Sequence, residues 1–232
     1  MNEKIPLFID DVSKTVYYSN EPNDVSHLTG AFWIPYLSKY DWDGHIYVSG
    51  ATGSGKSYLI KKIIQNDLKK RKVVLFTDLE TKDQSLNGIS YEKYNDRDEK
   101  KELIPPAESE WMKKRERNRI LVFDDVQFNE GLIKYRDIML EKGRHSHTIV
   151  ICVNHKLRDN FATKRPLNES RYVVTFPCAN KGSIFDYLYD EFRINRNKLE
   201  EILDLACKEG RHLIIHKHAP NIIATTETVI KL

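Results

Sequence analysis

Eight consecutive residues constrain this chain more than any others: Gly50-Ala51-Thr52-Gly53-Ser54-Gly55-Lys56-Ser57. They match G-x-x-x-x-G-K-[ST] in full. Glycines at this spacing let a backbone curl closely enough to turn its N–H groups inward on an anion. The short apolar stretch His45–Val48 runs straight into the loop. After it, Tyr58–Arg71 has helical spacing, with Leu59 and Ile63, joined by Ile60, Ile64 and Leu68, on its inner face. A strand, a glycine-rich loop and a helix N-terminus in that order form a phosphate cradle. Gly50 to Ser57 are therefore expected to hold the phosphates of a nucleotide. Lys56 would reach the β- and γ-phosphates, and Ser57 would offer its hydroxyl to Mg²⁺. The plainer alternative is a glycine-rich turn with no ligand, which the flanking strand and helix argue against.

The rest of the chain repeats the alternation that a parallel sheet requires. Val73–Thr77, Ile120–Phe123, Thr148–Val153 and Tyr172–Phe176 are short apolar runs fit for buried strands. A helical stretch, Glu130–Lys142, separates the second from the third. Ser183 with Asp186 would cap a helix carrying Ile184, Leu188 and Phe192, and a charged helix, Arg196–Lys208, follows. Two β-like runs, His212–His216 and Ile222–Ile230, close the chain. The fold expected is α/β, a mostly parallel central sheet flanked by helices. The predicted organisation is one domain over 1–232: a β-rich N-terminal segment (1–44), a nucleotide-binding core (45–192) and a C-terminal helix with strands (193–232). Within the core, Leu79–Asn118 turns polar and then cationic, and reads as an insertion with little core of its own. The aromatic patch Phe32–Tyr36 is expected to be buried, with a docking surface as the alternative.

Ile120-Leu121-Val122-Phe123-Asp124-Asp125 supplies the second chemical signal. A buried strand delivers its terminal acid to the C-terminal edge of the sheet, beside the glycine-rich loop. Asp124 would then hold Mg²⁺ and Asp125 would orient the attacking water. Without the preceding loop, a strand-end turn would explain the two acids as well. Asn154 ends the next core run, where a polar side chain senses the γ-phosphate, although Asn also begins many turns. Arg144, just ahead of that strand, is the first candidate for a cation reaching a neighbouring subunit's nucleotide, with Arg136, Arg158 and Arg171 as rivals. Basic clusters at Lys61-Lys62 and Lys69–Lys72 fit solvated helix faces. Those at Lys113–Arg119 and at Lys156-Arg158 with Lys164-Arg165 fall in loop-like text, where cations can follow a phosphate backbone. His216 and His218 alternate on a strand and are expected on a surface face, not at a metal.

Composition narrows the remaining classes. Hydrophobic residues make up 40% and charged residues 31% of the 232, a globular balance, and the net charge of +3 neither demands nor forbids a polyanionic partner. Three scattered cysteines give no disulfide framework and no zinc spacing. Acidic residues in MNEKIPLFIDDV stand where a secretory leader needs an apolar core. The longest apolar run, Ile149–Val153, is far below the roughly 18 residues that span a bilayer. No membrane insertion and no secretion are expected.

Taken together, GATGSGKS, ILVFDD, the helix ending in KGRHSHT, the strand IVICVN and the later FPCANKGSIFDYLYDEF resemble the genome-packaging ATPases of double-stranded DNA viruses, the FtsK/HerA-like members. The resemblance runs from about Ile46 to Phe192. It implies a RecA-like P-loop NTPase core and a homo-oligomeric ring (pentamer or hexamer). Such a ring uses ATP and Mg²⁺ to push double-stranded DNA into a preformed capsid, against a capsid or vertex protein. It places the protein in host cytoplasm at the site of virus assembly or at the virion vertex. It also assigns Lys56, Ser57, Asp124 and Asp125 to ATP chemistry and Asn154 to the sensor position. Two departures stand out: the family's sensor is often Gln, and 79–118 has no matching motif.

Other classes fit less well. A small-molecule or nucleoside kinase would carry an Asp-Arg acceptor motif after the loop, and none convinces. A GTPase would need Asn-Lys-x-Asp, and Asn154–Asp159 has the wrong spacing. A non-hydrolysing scaffold is hard to reconcile with intact Lys56, Asp124 and Asp125. A helicase or mobilisation motor shares the same engine.

Overall fold

A computed structural model describes residues 5–19, 25–37, 44–77, 84–94, 117–126, 129–159, 161–218 and 221–232. Near the N-terminus lie β1 (Pro6–Asp10), β2 (Val16–Tyr18), β3 (Val25–His27) and β4 (Trp33–Pro35). The middle of the chain alternates: β5 (Ile46–Ser49), α1 (Lys56–Gln65), β6 (Lys72–Thr77), β7 (Glu92–Lys93), β8 (Arg119–Asp124), α2 (Glu130–Lys142), β9 (Ile149–Asn154), α3 (Phe161–Glu169), β10 (Tyr172–Thr175) and α4 (Pro177–Phe192). The last elements are α5 (Arg196–Glu209), β11 (Leu213–His216), β12 (Ile222–Ala224) and β13 (Thr228–Lys231).

Ten of the strands form one sheet in the order β3-β13-β12-β11-β10-β5-β9-β8-β6-β7. From β10 to β7 every neighbouring pair is parallel, and from β10 back to β3 every pair is antiparallel. The α/β expectation therefore holds, and the parallel strands form the centre.

Strand alternation builds two cores. Ile46, Val48, Val73, Leu75, Ile120, Val122, Ile149 and Ile151 face Leu59 and Ile63 of α1. The intervening Tyr47, Val74, Leu121, Phe123, Val150 and Cys152 face α2, α4 and α5. A sheet buried on both faces explains why these runs are apolar at every position. A second sheet, β2-β1-β4, lies on the α1 side and packs Leu7, Phe8, Trp33 and Ile34 into the first core. The Tyr172 hydroxyl donates to Leu7 O at 2.8 Å across this junction. Trp33 and Ile34 are buried, as expected of the aromatic patch.

Local chemistry corrects several boundaries. Helix α1 stops at Gln65, well before Arg71, so Leu68 points outward, 48% exposed. The Asp67 carboxylate is the cause: it accepts from the Arg71 and Lys69 N–H groups at 2.7 and 3.3 Å, and also pairs with the Arg71 guanidinium. A side chain that takes backbone donors in this way competes with the helix ladder. Ser183 and Asp186 cap nothing. Helix α4 already begins at Pro177, a residue preorganised for a first turn, and breaks at Asn180 (φ −154°, ψ 52°). His216 is not on a surface face. It is buried, and its Nε2 accepts from Arg171 Nε at 3.1 Å. Of the polar insertion, the described part adds β7 to the sheet edge and buries Leu86 and Tyr94. Among the described residues no helix is long and apolar enough to cross a membrane.

Candidate nucleotide site

The loop leaves β5 and returns its chain into α1 with little support from side chains. Gly50 N–H donates to Asn154 O at 3.1 Å, which ties the start of the loop to the end of β9. Ser54 N–H closes a turn on Ala51 O at 3.1 Å. Gly55 precedes α1 in the left-handed region (φ 106°), which favours glycine. At Gly50 the constraint is space. A Cβ there would lie 2.7 Å from both Phe176 Cδ2 and Ser54 Oγ. Phe176, which joins β10 to α4, thus forms the floor of the loop. The first turn of α1 has no side-chain cap and no acidic residue, leaving its N-terminal dipole for an anion.

Lys56 is half-buried, and its ammonium donates to Gly50 O at 2.6 Å and Ala51 O at 3.1 Å. Burial lowers its pKa, and the carboxylates of Asp124 and Asp125 push it back up. The lysine therefore sits within the field of both acids. Ser57 is the second residue of α1, and the Oγ atoms of Ser49 and Ser54 are buried without a hydrogen-bond partner.

Sheet register assembles the other groups at the same edge. Thr77, Asp124 and Val153 are aligned across β6, β8 and β9, and Asn154, Ser49 and Thr175 across β9, β5 and β10. The loop strand and the acidic strand are not neighbours: β9 lies between them. Asn154, which is buried, therefore ends between the loop and the acids. Asp125 follows in the left-handed region (φ 54°), with its N–H on Val153 O at 3.1 Å. One of its carboxylate oxygens, Oδ1, is buried without a partner. The other, Oδ2, is 3.0 Å from His155 Nε2. No motif in the sequence marks His155 or Phe176, and both adjoin this site.

The arginine candidates separate cleanly. Arg144 belongs to the 3₁₀ turn Gly143–Ser146, and its side chain lies outside the described residues. Arg136 is buried and bonded to Asp137 at 2.7 Å, and Arg171 is buried against His216, so neither is presented to a neighbour. Arg158 pairs with Asp190 and Glu191 and stacks over Tyr187. The basic stretch around it is less loop-like than its sequence suggests. Lys164 and Arg165 lie on α3, Arg165 bonds Glu141 at 2.7 Å, and Lys156 bonds Asp159 at 3.1 Å. Of Lys113–Arg119, residues 113–116 lie outside the described residues, and Arg119 is buried.

The donor set suits a nucleotide with a hard cation. A serine hydroxyl and a carboxylate, Ser57 and Asp124, are the oxygen ligands Mg²⁺ prefers. Asp125 keeps one oxygen, Oδ1, buried without a partner, while its side chain as a whole is 37% exposed. Uncapped helix donors, an ammonium and two acids converge on one sheet edge, an arrangement that can bind and polarise a phosphate chain, while the Asn154 amide is turned to the Tyr47 hydroxyl.

Comparison with known proteins gives the class. A family model described as AAA domain matches residues 43–177, more than half of the chain, and the protein belongs to that family. Among solved structures, the chain is similar to the genome packaging NTPase B204 from Sulfolobus turreted icosahedral virus 2 in complex with sulfate. That match has 17% identity and a TM-score of 0.54, and covers 82% of this chain and 97% of that one. The same NTPase in complex with ATP-gammaS matches at 16% identity, TM-score 0.52, over 81% and 98% of the two chains. No curated protein matches. The likeness bears out the expected P-loop NTPase architecture and the fold of the family it resembles.

Proposed function

We propose that this protein is a Mg²⁺-dependent ATPase that translocates double-stranded DNA, and that its biological task is to package a viral genome into a preformed capsid. The observation that carries the reading is the position of β9. It brings Asn154 between the phosphate loop and the Asp124-Asp125 pair, inside a fold that overlays a packaging NTPase along nearly the whole of that chain.

In this reading the loop N–H groups and Lys56 bind the phosphates, and Phe176 holds the loop close to them. Lys56 leaves the carbonyls of Gly50 and Ala51 for the γ-phosphate. Ser57 and Asp124 would hold Mg²⁺, which would offset phosphate charge. The Asp125 carboxylate accepts a hydrogen from the attacking water, and Asn154 leaves the Tyr47 hydroxyl to donate to the γ-phosphate. Arg144 of a neighbouring copy completes the site in a ring, where it steadies charge that develops during transfer. The chain acts as one ATPase unit. Its partners are duplex DNA and a capsid or vertex protein, and its place is the site of virus assembly.

ATP hydrolysis by the purified protein, with and without linear duplex DNA at low and moderate salt, tests this. Stimulation by duplex that fades as salt rises is expected, because contacts to a phosphate backbone release counterions. Hydrolysis indifferent to DNA, or dependent on a small phosphate acceptor, would sink the translocase and promote a kinase.

A further inference from the structure

We propose that His155 is a positioning residue for hydrolysis: its imidazole, 3.0 Å from Asp125 Oδ2, fixes the rotation of the carboxylate that orients the attacking water. The proposal rests on the reading of Asp125 as the water-orienting acid, but the contact itself is a feature of the structure. The His155 Nε2 atom lies 3.0 Å from Asp125 Oδ2, close enough for the imidazole to fix which way the carboxylate faces.

Asp125 is held at two points, and both belong to the end of β9. Its N–H is bonded to Val153 O at 3.1 Å, and its Oδ2 lies 3.0 Å from Nε2 of His155, two residues further on. The backbone bond sets where the left-handed turn sits, and the His155 contact sets how the carboxylate is rotated. Without His155, a terminal carboxyl torsion is soft, and the two oxygens would exchange places. With it, one oxygen faces the imidazole and the other stays buried, so the carboxylate keeps one rotation.

Stability does not explain the pair. The two side chains are 43% and 37% exposed, and exposed ion pairs contribute little. The contact matters for aim. His155 also adjoins Asn154, whose carbonyl holds Gly50, so one short segment orients both the acid and the phosphate loop.

The test compares the His155→Ala, His155→Gln and Asp125→Asn variants of the full chain, each in the wild-type background and His155→Ala also in Asp125→Asn. We expect His155→Ala to lower kcat about 10- to 100-fold, the scale of a small misplacement of a reacting group. KM and the affinity for a fluorescent ATP analogue should change less than about twofold, the pattern of an interaction that acts on the chemical step alone. His155→Gln, which keeps an N–H at similar reach, should recover most of the loss. In Asp125→Asn the same His155→Ala change should have no further effect. Unchanged turnover in His155→Ala, with Asp125→Asn inactive, would overturn the positioning role and leave the acid's role standing. A Gln variant as slow as the Ala variant would also overturn it. Normal turnover in Asp125→Asn would instead remove the reading on which the proposal rests.

Discussion

Strands β5 and β11 flank β10 in the same sheet, and each is four residues long and buried throughout. They end differently. β5 ends at Ser49, whose Oγ has no partner, and passes into a loop whose Ser54 Oγ has none either. β11 ends at His216, whose Nε2 is taken by Arg171. The pattern extends along each half. Beyond β11, Glu209 accepts from the Thr225 hydroxyl, from the Thr228 hydroxyl at 2.6 Å and from Glu227 N–H at 3.0 Å. Among the described residues of β11, β12 and β13 no buried side-chain polar atom lacks a partner. Parallel strands point all their C-termini at one edge, where side chains meet loops and helix N-termini. Antiparallel strands alternate, and hairpins let neighbours satisfy one another. At the C-terminal edge of the parallel strands Ser49 Oγ, Ser54 Oγ and Asp125 Oδ1 lie together without partners, and that is where a ligand is to be sought.

The comparison breaks most visibly if the parallel edge is not where chemistry occurs. Lys56→Ala and Asp125→Asn should each reduce ATP turnover by about 100-fold or more, and Asp125→Asn should still bind nucleotide in equilibrium titration. Thermal unfolding of both should match wild type within a few degrees.

On the other half the expected effect is on stability. His212 lies between the two sheets, its Nε2 donating to Trp33 O at 3.1 Å and its Nδ1 facing the Thr226 hydroxyl at 3.4 Å. Burial pushes this imidazole down to about 4. Its folded value is below the ordinary unfolded one of about 6.5, so the unfolded chain takes up the proton first. Its stabilising contribution is whole above about pH 6.5 and is lost as pH falls toward 4, by roughly 3 kcal/mol. Denaturant unfolding across that range should show the loss, and His212→Gln should flatten that part of the slope. A slope unaltered by the substitution would show that the junction is not where the protons enter.

The smallest effect sharpens the boundary of the site. Gly50→Ala brings a methyl against Phe176 and Ser54 and should weaken nucleotide binding about tenfold, within the 1–3 kcal/mol that overpacking costs. Adding Phe176→Leu should return part of that affinity. Affinity unchanged in Gly50→Ala would mean that Phe176 does not set the height of the loop.

Much of the parallel half was legible because its signals are local. Gly50–Ser57 carries its own geometry, and ILVFDD and IVICVN announce buried strands that end in polar groups at a common edge. Helix α2 was read with the boundaries it has, since Asn129 caps it by accepting from Leu132 N–H and Gly143 ends it. What the sequence concealed depends on partners distant in the chain. His155 matters through Asp125, thirty positions away and reached by a left-handed turn that no period announces. His216 looked like one of two alternating surface histidines because Arg171 cannot be paired with it by spacing. The early stop of α1 at Gln65 was hidden by the apolar Leu68, whose position suits a helix that Asp67 prevents. Phe176 reads simply as the apolar end of a strand, and only the sheet order brings it under Gly50.

The bonds that join the site to β9 have a further consequence for how such a chain can drift. Gly50 N–H on Asn154 O and Asp125 N–H on Val153 O are both bonds between main-chain atoms. They ask nothing of the side chains that happen to occupy Val153 or Asn154. The linkage between phosphate loop, intervening strand and acid can thus outlast nearly complete replacement of residues, which agrees with a shared fold at 17% identity. What it cannot absorb is a residue without an amide hydrogen at either donor: proline at 50 or at 125 would sever it, whatever else the site retained.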